Sequence, residues 1–408
     1  MTKIQVALDF GQEMIPVGTL IENQNKVFFK YEDSFLNLQL DLSPFKLKKT
    51  SEIVECPAEP FDGISGLFND SLPDGWGRLL LDRKLIESGK NPKEQSVLES
   101  LSFVGKNAPG ALIYFPEQRF NSPKQIQIDL DEISLQSSEL LKNGENPDIL
   151  DELYALGGNS VGARPKVALN YNEQSDQFQQ DERISKNGFR PWIIKFSALN
   201  DFQDMAKIEY AYYKMAIQCG ITMSPSKLFK GKKENYYFGT QRFDRTATDR
   251  LHFHTASGLL HDNFRVSTID YGHVMDAANR LENNLDACVN IFRLAVFNVY
   301  ANNMDDHSKN CAFLMNKEGV WKFAPAFDLT FAPKPGGYQS ISVAGVYQSI
   351  QEADFIKLAE HFQIENPKQL ILEVKEVLST WNKIAAELDI ITNEKKLIDK
   401  AIQKKLLF

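Results

Sequence analysis

The segment NMDDHSKN, residues 303–310, is the most informative stretch of this sequence about its fold. Four residues separate Asp305 from Asn310, and this is the spacing of the aspartate and asparagine in a phosphotransferase catalytic loop. Such a loop places the aspartate beside an incoming hydroxyl group, whose proton it accepts, and turns the asparagine oxygen toward a Mg²⁺ ion that bridges the phosphates. Lys309 precedes the asparagine, where its ammonium group can neutralise charge on the γ-phosphate. The segment therefore predicts that Asp305 and Lys309 are catalytic residues.

A second acidic position follows in the sequence PAFDLT, residues 325–330. Residues 311–331 have the pattern of two strands joined by a glycine-containing turn. Asp328 therefore follows a hairpin, as the metal-binding aspartate of a kinase does. Mg²⁺ binds a few carboxylate and carbonyl oxygens together with phosphate and water. We therefore predict that Asn310 and Asp328 are magnesium ligands.

A lysine lies within the hydrophobic strand WIIKF, residues 192–196. Burying a lysine is costly unless its ammonium group meets an anion, so Lys195 is a candidate for binding phosphate. Helical periodicity over residues 205–219 places Glu209 on the next helix, where it is a candidate ion-pair partner for the lysine. The same glutamate would also suit the first turn of that helix electrostatically, so both interpretations stay open.

The order of these elements along the chain is more informative than any one of them. A glycine-rich loop, GGNSVGARPK at residues 157–166, precedes the strand that carries Lys195. The helix with Glu209, the catalytic loop and Asp328 then follow in the order found in a protein kinase. Each element alone is common on protein surfaces, so the prediction of phosphoryl transfer rests on their combination.

Length and composition limit the alternatives. The chain has 408 residues, of which 43% are hydrophobic and 25% charged, as is typical of a folded protein of two or three domains. The net charge of −8 disfavours nucleic acid as a default partner, because neutralising phosphate groups requires clustered lysine and arginine. No apolar run approaches the length of a membrane helix, and the N-terminus lacks the pattern of a signal peptide. We therefore expect a cytoplasmic protein that contacts no membrane and has free thiols at its four scattered cysteines.

Three regions are expected from the pattern of strands and helices. Residues 1–120 combine short strands, among them IQVAL, VFFKY and FLNLQL, with a helix over residues 76–86 and a strand at ALIYF. A polar stretch rich in glutamine and serine, residues 116–145, marks the boundary to a kinase N-lobe-like region, residues 145–245, that holds the glycine-rich loop. Residues 246–408 are expected to be mainly helical and hold the catalytic loop.

Taken together, these motifs resemble the HipA family, the kinase toxins of bacterial HipBA-type toxin–antitoxin modules. The resemblance rests on N-x-D-x-H-x-K-N at residues 303–310, Pro325 with Asp328, SVGARPK at residues 160–166, QRFDR at residues 241–245 and GLFNDSLPDGWGRLLLDR at residues 66–83. It implies an α+β, protein-kinase-like fold with an N-terminal β-rich subdomain and a mainly α-helical C-terminal lobe. It also implies ATP and Mg²⁺ as cofactors.

Six positions take an expected role from the resemblance. These are Asp305 as the catalytic base, Asn310 and Asp328 as the Mg²⁺ ligands, Lys195 as the phosphate-binding lysine, and Gln241 and Phe243 as the hinge that meets adenine, Gln241 through its backbone. The ion-pair partner Glu209 belongs to the same nucleotide site.

The glycine-rich loop is not the G-x-G-x-x-G loop of ordinary protein kinases. The resemblance places cofactor contacts at Val161, Gly162 and Ala163, and it identifies Ser160 as a site of autophosphorylation that silences the enzyme. A phosphoserine adds a charge of about −1.5 to −2 and three acceptor oxygens, so at Ser160 it would compete with ATP or draw the loop outward. The alternative is that Ser160 is only a small polar loop residue.

The function implied by the resemblance is that of a serine/threonine protein kinase toxin. It would transfer the γ-phosphate of ATP to a cytosolic translation-related protein, such as an aminoacyl-tRNA synthetase, and to its own Ser160. Its partner would be a HipB-like helix-turn-helix antitoxin, and it would contact DNA only through that antitoxin. Two alternatives stay open: an antitoxin-binding corepressor or scaffold with weak or lost kinase activity, and a small-molecule phosphotransferase of the aminoglycoside type. The complete set of catalytic motifs disfavours the first, and the N-terminal region with the Ser160 loop disfavours the second.

Two side chains of the catalytic loop are expected to have supporting roles. Asp306 adds a second carboxylate beside Asp305. Because two carboxylates that face one site raise the pKa of one of them, we expect Asp306 to face solvent or a basic residue. His307 is expected to support the loop as a hydrogen-bonded structural residue rather than to transfer a proton.

Three of the six histidines, His252, His254 and His261, lie close together in the sequence. A zinc-type metal site would need at least three converging ligands, and a glycine separates the last histidine from the first two. We therefore expect a structural or substrate-groove role for this group.

Overall fold

The computed structural model describes residues 2–120, 128–143, 147–180, 188–246 and 248–407. Its N-terminal part consists of β1 (Thr2–Asp9), β2 (Met14–Asn23), β3 (Lys26–Tyr31), α1 (Asp33–Leu36), β4 (Val54–Glu55), α2 (Gly66–Asn69), α3 (Gly75–Glu87), α4 (Val97–Val104) and β5 (Leu112–Phe115). The strands form one antiparallel five-stranded sheet in the order β4-β3-β2-β1-β5.

Alternating side chains explain why β1 forms part of this sheet. Ile4 and Val6 are buried and Gln5 between them is exposed, as expected for a strand whose successive side chains point to opposite faces. After a register shift between Val6 and Ala7, the residues up to Asp9 are buried on both faces. Helix α4 contacts β1 and β2. It begins with a capping box, in which Ser96 and Glu99 each accept a hydrogen bond from the other's backbone N–H.

The predicted strand FLNLQL is wrong. Residues Asp33–Leu36 form helix α1, and turns follow it. Leu38 and Leu40 would share one face of a strand, yet Leu38 is exposed whereas Leu40 is buried. The outer edge of β3 pairs with the later segment β4 and not with FLNLQL.

The middle part contains a second antiparallel five-stranded sheet in the order β7-β6-β8-β10-β9. Its elements are α5 (Leu130–Asn143), α6 (Pro147–Gly157), β6 (Lys166–Asn172), β7 (Gln177–Gln180), β8 (Arg190–Lys195), α7 (Met205–Gln218), β9 (Ser226–Lys230) and β10 (Tyr236–Gln241). Trp76 of helix α3 is buried in the hydrophobic core on this sheet. The N-terminal part therefore packs directly on the second sheet.

Helix α5 lies within the stretch 116–145, which the sequence predicts as a polar boundary. Leu130, Ile133 and Leu140 of this helix are buried, so the segment is amphipathic and joins the core despite its polar composition. Residues 121–127 and 144–146 of the predicted boundary lie outside the described residues.

The C-terminal part is mainly helical. It consists of β11 (His252–Thr255), α8 (Ala256–Leu260), α9 (Tyr271–Glu282), α10 (Asp286–Tyr300), β12 (Ala312–Met315), β13 (Trp321–Phe323), β14 (Tyr338–Val343), β15 (Val346–Gln348), α11 (Glu352–His361), α12 (Pro367–Ser379), α13 (Trp381–Glu387) and α14 (Thr392–Leu406), with short 3₁₀ helices at Phe264–Val266, Ser308–Asn310 and Pro335–Gly337. Strands β11, β12 and β13 form a three-stranded sheet, and β14 pairs with β15. Within the described ranges, no helix is long and apolar enough to cross a membrane.

The N-terminal and C-terminal parts share a continuous hydrophobic core and a buried polar network. The carboxylate of Asp70 accepts hydrogen bonds from the backbone N–H and the hydroxyl group of Thr255, both at 2.7 Å, and lies 2.6 Å from Nδ1 of His254. The other ring nitrogen of His254, Nε2, lies 3.0 Å from Oγ of Ser43. We call Ser43, Asp70, His254 and Thr255 the interface cluster.

The other two histidines of the predicted group also contact the N-terminal part. Nε2 of His252 lies 3.0 Å from the carbonyl oxygen of Leu42, and burial lowers the pKa of His252 to about 3. Nε2 of His261 accepts a hydrogen bond from the backbone N–H of Gly66 at 3.3 Å. No group of metal-binding side chains converges here or elsewhere in the described part of the chain. These contacts agree with the structural role expected for the histidines.

Candidate active site

Lys195 is the last residue of β8, and its side chain reaches two carboxylates from other elements. Its Nζ donates to Oε1 of Glu209 on α7 and to Oδ1 of Asp328, the latter at 2.5 Å. Because α7 begins at Met205, Glu209 lies beyond the first turn and is buried. An ion pair therefore explains this glutamate better than first-turn electrostatics does. We call Lys195, Glu209 and Asp328 the site cluster.

Burial and charge act in opposite directions on the site cluster. Burial by itself lowers the pKa of Lys195, but the carboxylates of Asp328 and Glu209 more than offset it, so this pKa lies above its ordinary value. The ammonium group of Lys195 in turn holds the pKa of Asp328 well below its usual range. Lys195 and Asp328 are thus both charged at neutral pH. The side chain of Asp328 is 37% exposed, so it forms the open side of the cluster.

The catalytic-loop segment presents Asp305 to solvent. The side chain of Asp305 is 51% exposed, and its Oδ1 lies 3.0 Å from Nζ of Lys334. The side-chain amide group of Asn310 donates to the backbone carbonyl of Asp305 at 2.9 Å, which fixes the direction of the asparagine. Lys334 is a neighbour of Asp305 that the sequence motifs do not indicate, because it follows Asp328 in a segment without a recognised pattern.

Asp306 is buried, so the expectation that it faces solvent is wrong, although a basic residue, Lys334, acts to lower its pKa. The side chain of Asp306 is 2% exposed. It accepts hydrogen bonds from the hydroxyl group of Tyr271 at 2.8 Å and from the backbone N–H of Ser340 at 2.9 Å, with a longer one from Nε2 of Gln339 at 3.3 Å. Burial raises the pKa of Asp306 to about 7. The residue thus joins the loop to helix α9 and strand β14.

His307 supports the catalytic loop by packing. Its ring lies edge to face with that of Phe264 at 5.1 Å, and in the described structure its buried Nδ1 has no hydrogen-bond partner. The expected hydrogen-bonded role is therefore replaced, at this nitrogen, by an aromatic contact. Burial lowers the pKa of His307, while Asp305 and Asp328 both act to raise it. Asp305 on the catalytic loop and Asp328 after the hairpin therefore both influence the pKa of His307.

The glycine-rich loop lies next to a second lysine. Lys166 stands opposite Lys195 in the pairing of β6 with β8, and its Nζ donates to the carbonyl oxygen of Val161 at 2.6 Å. Burial lowers the pKa of Lys166 to about 8, the nearby ammonium of Lys195 also lowers it, and the carboxylate of Asp328 opposes this shift. The sequence motifs indicate no separate role for Lys166. Its position beside Lys195 results from the pairing of β6 with β8, which the sequence does not show.

The remaining loop residues differ in their exposure. Ala163 is exposed, whereas Oγ of Ser160 is buried and has no hydrogen-bond partner in the described structure. The backbone N–H of Gly162 donates to Oδ1 of Asp74 at 2.5 Å. Lys309 of the catalytic loop donates to the other oxygen of the same carboxylate at 2.6 Å. Asp74 is a third residue without a predicted functional role, since its sequence context indicates only a turn.

The predicted hinge residues lie at the end of β10. Gln241 stands opposite Trp192 of β8, and its backbone N–H donates to the carbonyl oxygen of Pro225 at 2.9 Å. Phe243 packs against Phe327 with their ring centroids 5.4 Å apart, in a small apolar cluster with β12. Phe327 directly precedes Asp328, so the hinge and the hairpin aspartate are joined through an aromatic contact.

The available donor atoms fit a magnesium ion that binds together with nucleotide phosphates. Asp328 supplies a carboxylate, and Asn310 supplies an amide oxygen while its nitrogen is engaged with Asp305. Mg²⁺ requires only one or two protein oxygens when phosphates and water complete its octahedral shell. Such a site needs no cluster of three or more acidic or histidine ligands.

Two family models match the chain, each over a separate part. The HipA-like C-terminal domain matches residues 159–383, and the HipA N-terminal domain matches residues 10–115. The chain belongs to the HipA family. No curated protein sequence matches it.

Solved structures extend this result to the fold. HipA of Shewanella oneidensis MR-1, determined in a complex with HipB and operator DNA, is 17% identical with a TM-score of 0.65, over 99% of this chain and 96% of that one. The proinflammatory kinase CtkA of Helicobacter pylori is 12% identical with a TM-score of 0.38, over 54% of this chain and 88% of that one. The Shewanella structure confirms the α+β, HipA-like fold that the motifs predict.

Proposed function

We propose that this HipA-family protein is an ATP- and Mg²⁺-dependent serine/threonine protein kinase. The observation that carries the proposal is the arrangement of the site cluster, in which Lys195 joins the second sheet to the hairpin residue Asp328. The catalytic loop that carries Asp305 is joined to the glycine-rich loop, because Lys309 and the backbone N–H of Gly162 contact the two carboxylate oxygens of Asp74. A phosphate-binding lysine, a metal-binding carboxylate and a catalytic base are the parts that phosphoryl transfer requires.

Each part has a proposed task. Lys195, with the backbone of Val161, Gly162 and Ala163, binds the phosphates of ATP, and Glu209 directs the lysine. Gln241 and Phe243 receive the adenine. Asn310 and Asp328 hold Mg²⁺, which neutralises phosphate charge when it is bound. Asp305 orients the hydroxyl group of the substrate and accepts its proton, and Lys309 stabilises the charge that develops on the transferred group.

The proposed substrate and partners rest on the resemblance to the HipA family. We propose that the protein acts as the toxin of a type II toxin–antitoxin module in the cytoplasm and phosphorylates a translation-related protein, such as an aminoacyl-tRNA synthetase. A HipB-like helix-turn-helix antitoxin would bind it and provide its contact with DNA. The domain division 1–120, 145–245 and 246–408 is part of this proposal, with the nucleotide between the second and third regions.

Autophosphorylation of Ser160 would regulate this activity. Oγ of Ser160 is buried without a partner, so the glycine-rich loop must open before the hydroxyl group can receive a phosphate. Once phosphorylated, the side chain would carry about −1.5 to −2 charges and would not return to its buried position.

Intact-mass spectrometry after incubation with Mg-ATP tests the proposed function. The protein is first treated with a phosphatase, which is then removed, and ADP formation is measured in the same sample. We expect one added phosphate, mapped to Ser160, in the wild type and none in Asp305→Asn or Ser160→Ala, with ADP still formed by Ser160→Ala. A wild-type protein that gains no phosphate and forms no ADP would favour the antitoxin-binding scaffold.

A further inference from the structure

The N-terminal part reaches the glycine-rich loop through residues 74–77, which we call the clamp. Oδ1 of Asp74 accepts the backbone N–H of Gly162 at 2.5 Å, and the backbone N–H of Trp76 donates to the carbonyl oxygen of Gly162 at 2.9 Å. Both polar backbone groups of Gly162 are therefore held by a segment far away in the sequence. Trp76 is buried in the core on the second sheet, which anchors the clamp.

Two glycines allow the clamp to approach the loop closely. A Cβ atom on Gly75 would lie 2.5 Å from the carbonyl oxygen of Gly162, and one on Gly77 would lie 2.3 Å from the carbonyl oxygen of Ser160. Real Cβ atoms essentially never approach backbone oxygens this closely. The absence of a side chain at both positions is therefore a condition for the contact.

Asp74 faces the active site instead of capping its own helix. It occupies the N-cap position of α3, yet its side chain makes no capping hydrogen bond. Its second oxygen accepts a hydrogen bond from Nζ of Lys309 at 2.6 Å. Burial raises the pKa of Asp74, but Lys309 and the N–H of Gly162 more than offset this effect and leave the pKa below its ordinary value. The carboxylate is thus a charged bridge between the glycine-rich loop and the catalytic loop.

This bridge has a parallel on the other side of the site. Lys195 is directed by Glu209 from helix α7, and Lys309 is held in the same way by Asp74. We propose that Asp74 is a positioning residue of the phosphotransfer site, which fixes Lys309 and closes the glycine-rich loop. The role of Lys309 rests on the proposed kinase function, whereas the closure of the loop does not.

The clamp also bears on Ser160. Its carbonyl oxygen faces Gly77, and its hydroxyl group is buried. Opening the loop for autophosphorylation therefore requires the contacts of Gly162 with Asp74 and Trp76 to break. The N-terminal part therefore contributes contacts that hold the glycine-rich loop and Lys309 of the candidate active site.

Hydrogen exchange of the loop and steady-state kinetics test the proposal together. Asp74→Ala removes both contacts, Asp74→Asn keeps an oxygen for Gly162 but loses the ion pair, and Glu94→Gln changes an exposed carboxylate of the same part as a control. Without nucleotide, we expect amides 158–163 to exchange about tenfold faster in Asp74→Ala than in the control, and Asp74→Asn to stay close to the control. We expect kcat for ATP turnover to fall about tenfold in both Asp74 variants, with the KM for ATP within threefold in Asp74→Asn.

The outcomes separate the clamp from the kinase function. Loop exchange in Asp74→Ala equal to that in Glu94→Gln would overturn the closure of the loop. An unchanged kcat in Asp74→Asn, with an active wild type, would overturn the positioning of Lys309. If the wild type forms no ADP at all, the kinase proposal fails, while the exchange experiment still decides whether the clamp holds the loop.

Discussion

The site cluster and the interface cluster both bury carboxylates, but only one of them is open to a ligand. In the interface cluster Asp70 is matched by the N–H and hydroxyl donors of Thr255 and by His254, and all of these groups are buried. In the site cluster the carboxylate of Asp328 is partly exposed beside the ammonium group of Lys195. The buried hydrogen bonds of the interface cluster hold two parts of the protein together. In the site cluster, the exposed carboxylate of Asp328 remains accessible to a ligand such as a phosphate-bound metal ion.

The interface cluster shows why contact patterns alone do not identify a site. Ser43, His254 and Asp70 follow one another in the hydrogen-bonding order of a serine hydrolase triad. The side chains of Ser43 and His254 are both 0% exposed, so no substrate can reach the serine. Exposure, and not the order of contacts, separates this structural network from the candidate active site.

The interface cluster and the clamp also meet on one short segment. Asp70 and Asp74 belong to the sequence NDSLPD, yet the first is part of the interface cluster and the second bridges the loops of the active site. The segment thus anchors the N-terminal part on one side and contacts two loops of the candidate active site on the other.

The largest effect is expected from a substitution of the half-exposed Asp305, which leaves the packing of the protein unchanged. Asp305→Asn should reduce ATP turnover by at least about 100-fold, because the base and its orienting charge are lost. The side chain is half-exposed and its ion pair with Lys334 is partly solvated, so the free energy of unfolding should change by less than about 1 kcal/mol. Steady-state kinetics and urea denaturation measure the two effects. Turnover within threefold of the wild type would remove Asp305 from the mechanism.

The opposite result is expected in the interface cluster. Asp70→Asn places an amide N–H₂ group among donors, so at least one buried donor loses its acceptor and the free energy of unfolding should fall by about 2 kcal/mol. The affinity for Mg-ATP, measured by calorimetry at a temperature where the variant is folded, should stay within twofold. Glu94→Gln serves as the control for both measurements. A folded, equally stable variant with weakened nucleotide binding would contradict the division between the two clusters.

A pH dependence is expected at Asp306, which is next to Asp305 in sequence but buried like the interface cluster. Burial raises its pKa from 3.8 to about 7, so the folded protein binds this proton more tightly than the unfolded chain does. Its contribution to stability is complete at low pH and is lost as the pH rises from about 4 through about 7. The stability difference between wild type and Asp306→Asn should therefore shrink by up to about 1.4 kcal/mol per pH unit from pH 5 to 7. Denaturation curves at several pH values that show a constant difference would contradict this assignment.

Much of the fold could be predicted from local patterns. The strands around Ile4, Ile113 and Lys195 and the helix that carries Glu209 are found where alternation and helical periodicity place them. The prediction of a strand at FLNLQL is wrong, because the strand that pairs with the outer edge of β3 comes from Val54–Glu55, and local pattern does not show which segment will pair there. Helix α5 was not predicted, because its buried face depends on packing against the second sheet.

The sequence by itself indicated the candidate residues whose proposed chemistry depends on short spacing. Asp305 and Asn310 lie in one loop, and Lys195 and Asp328 stand at recognisable positions of a strand and a hairpin, so their types and order could indicate phosphoryl transfer. Only the tertiary structure could place Asp74 against Lys309, since 235 positions separate them. It also decided that Asp305 is exposed while Asp306 is buried, because two adjacent residues can point to opposite sides of a loop, and burial depends on the elements that pack there.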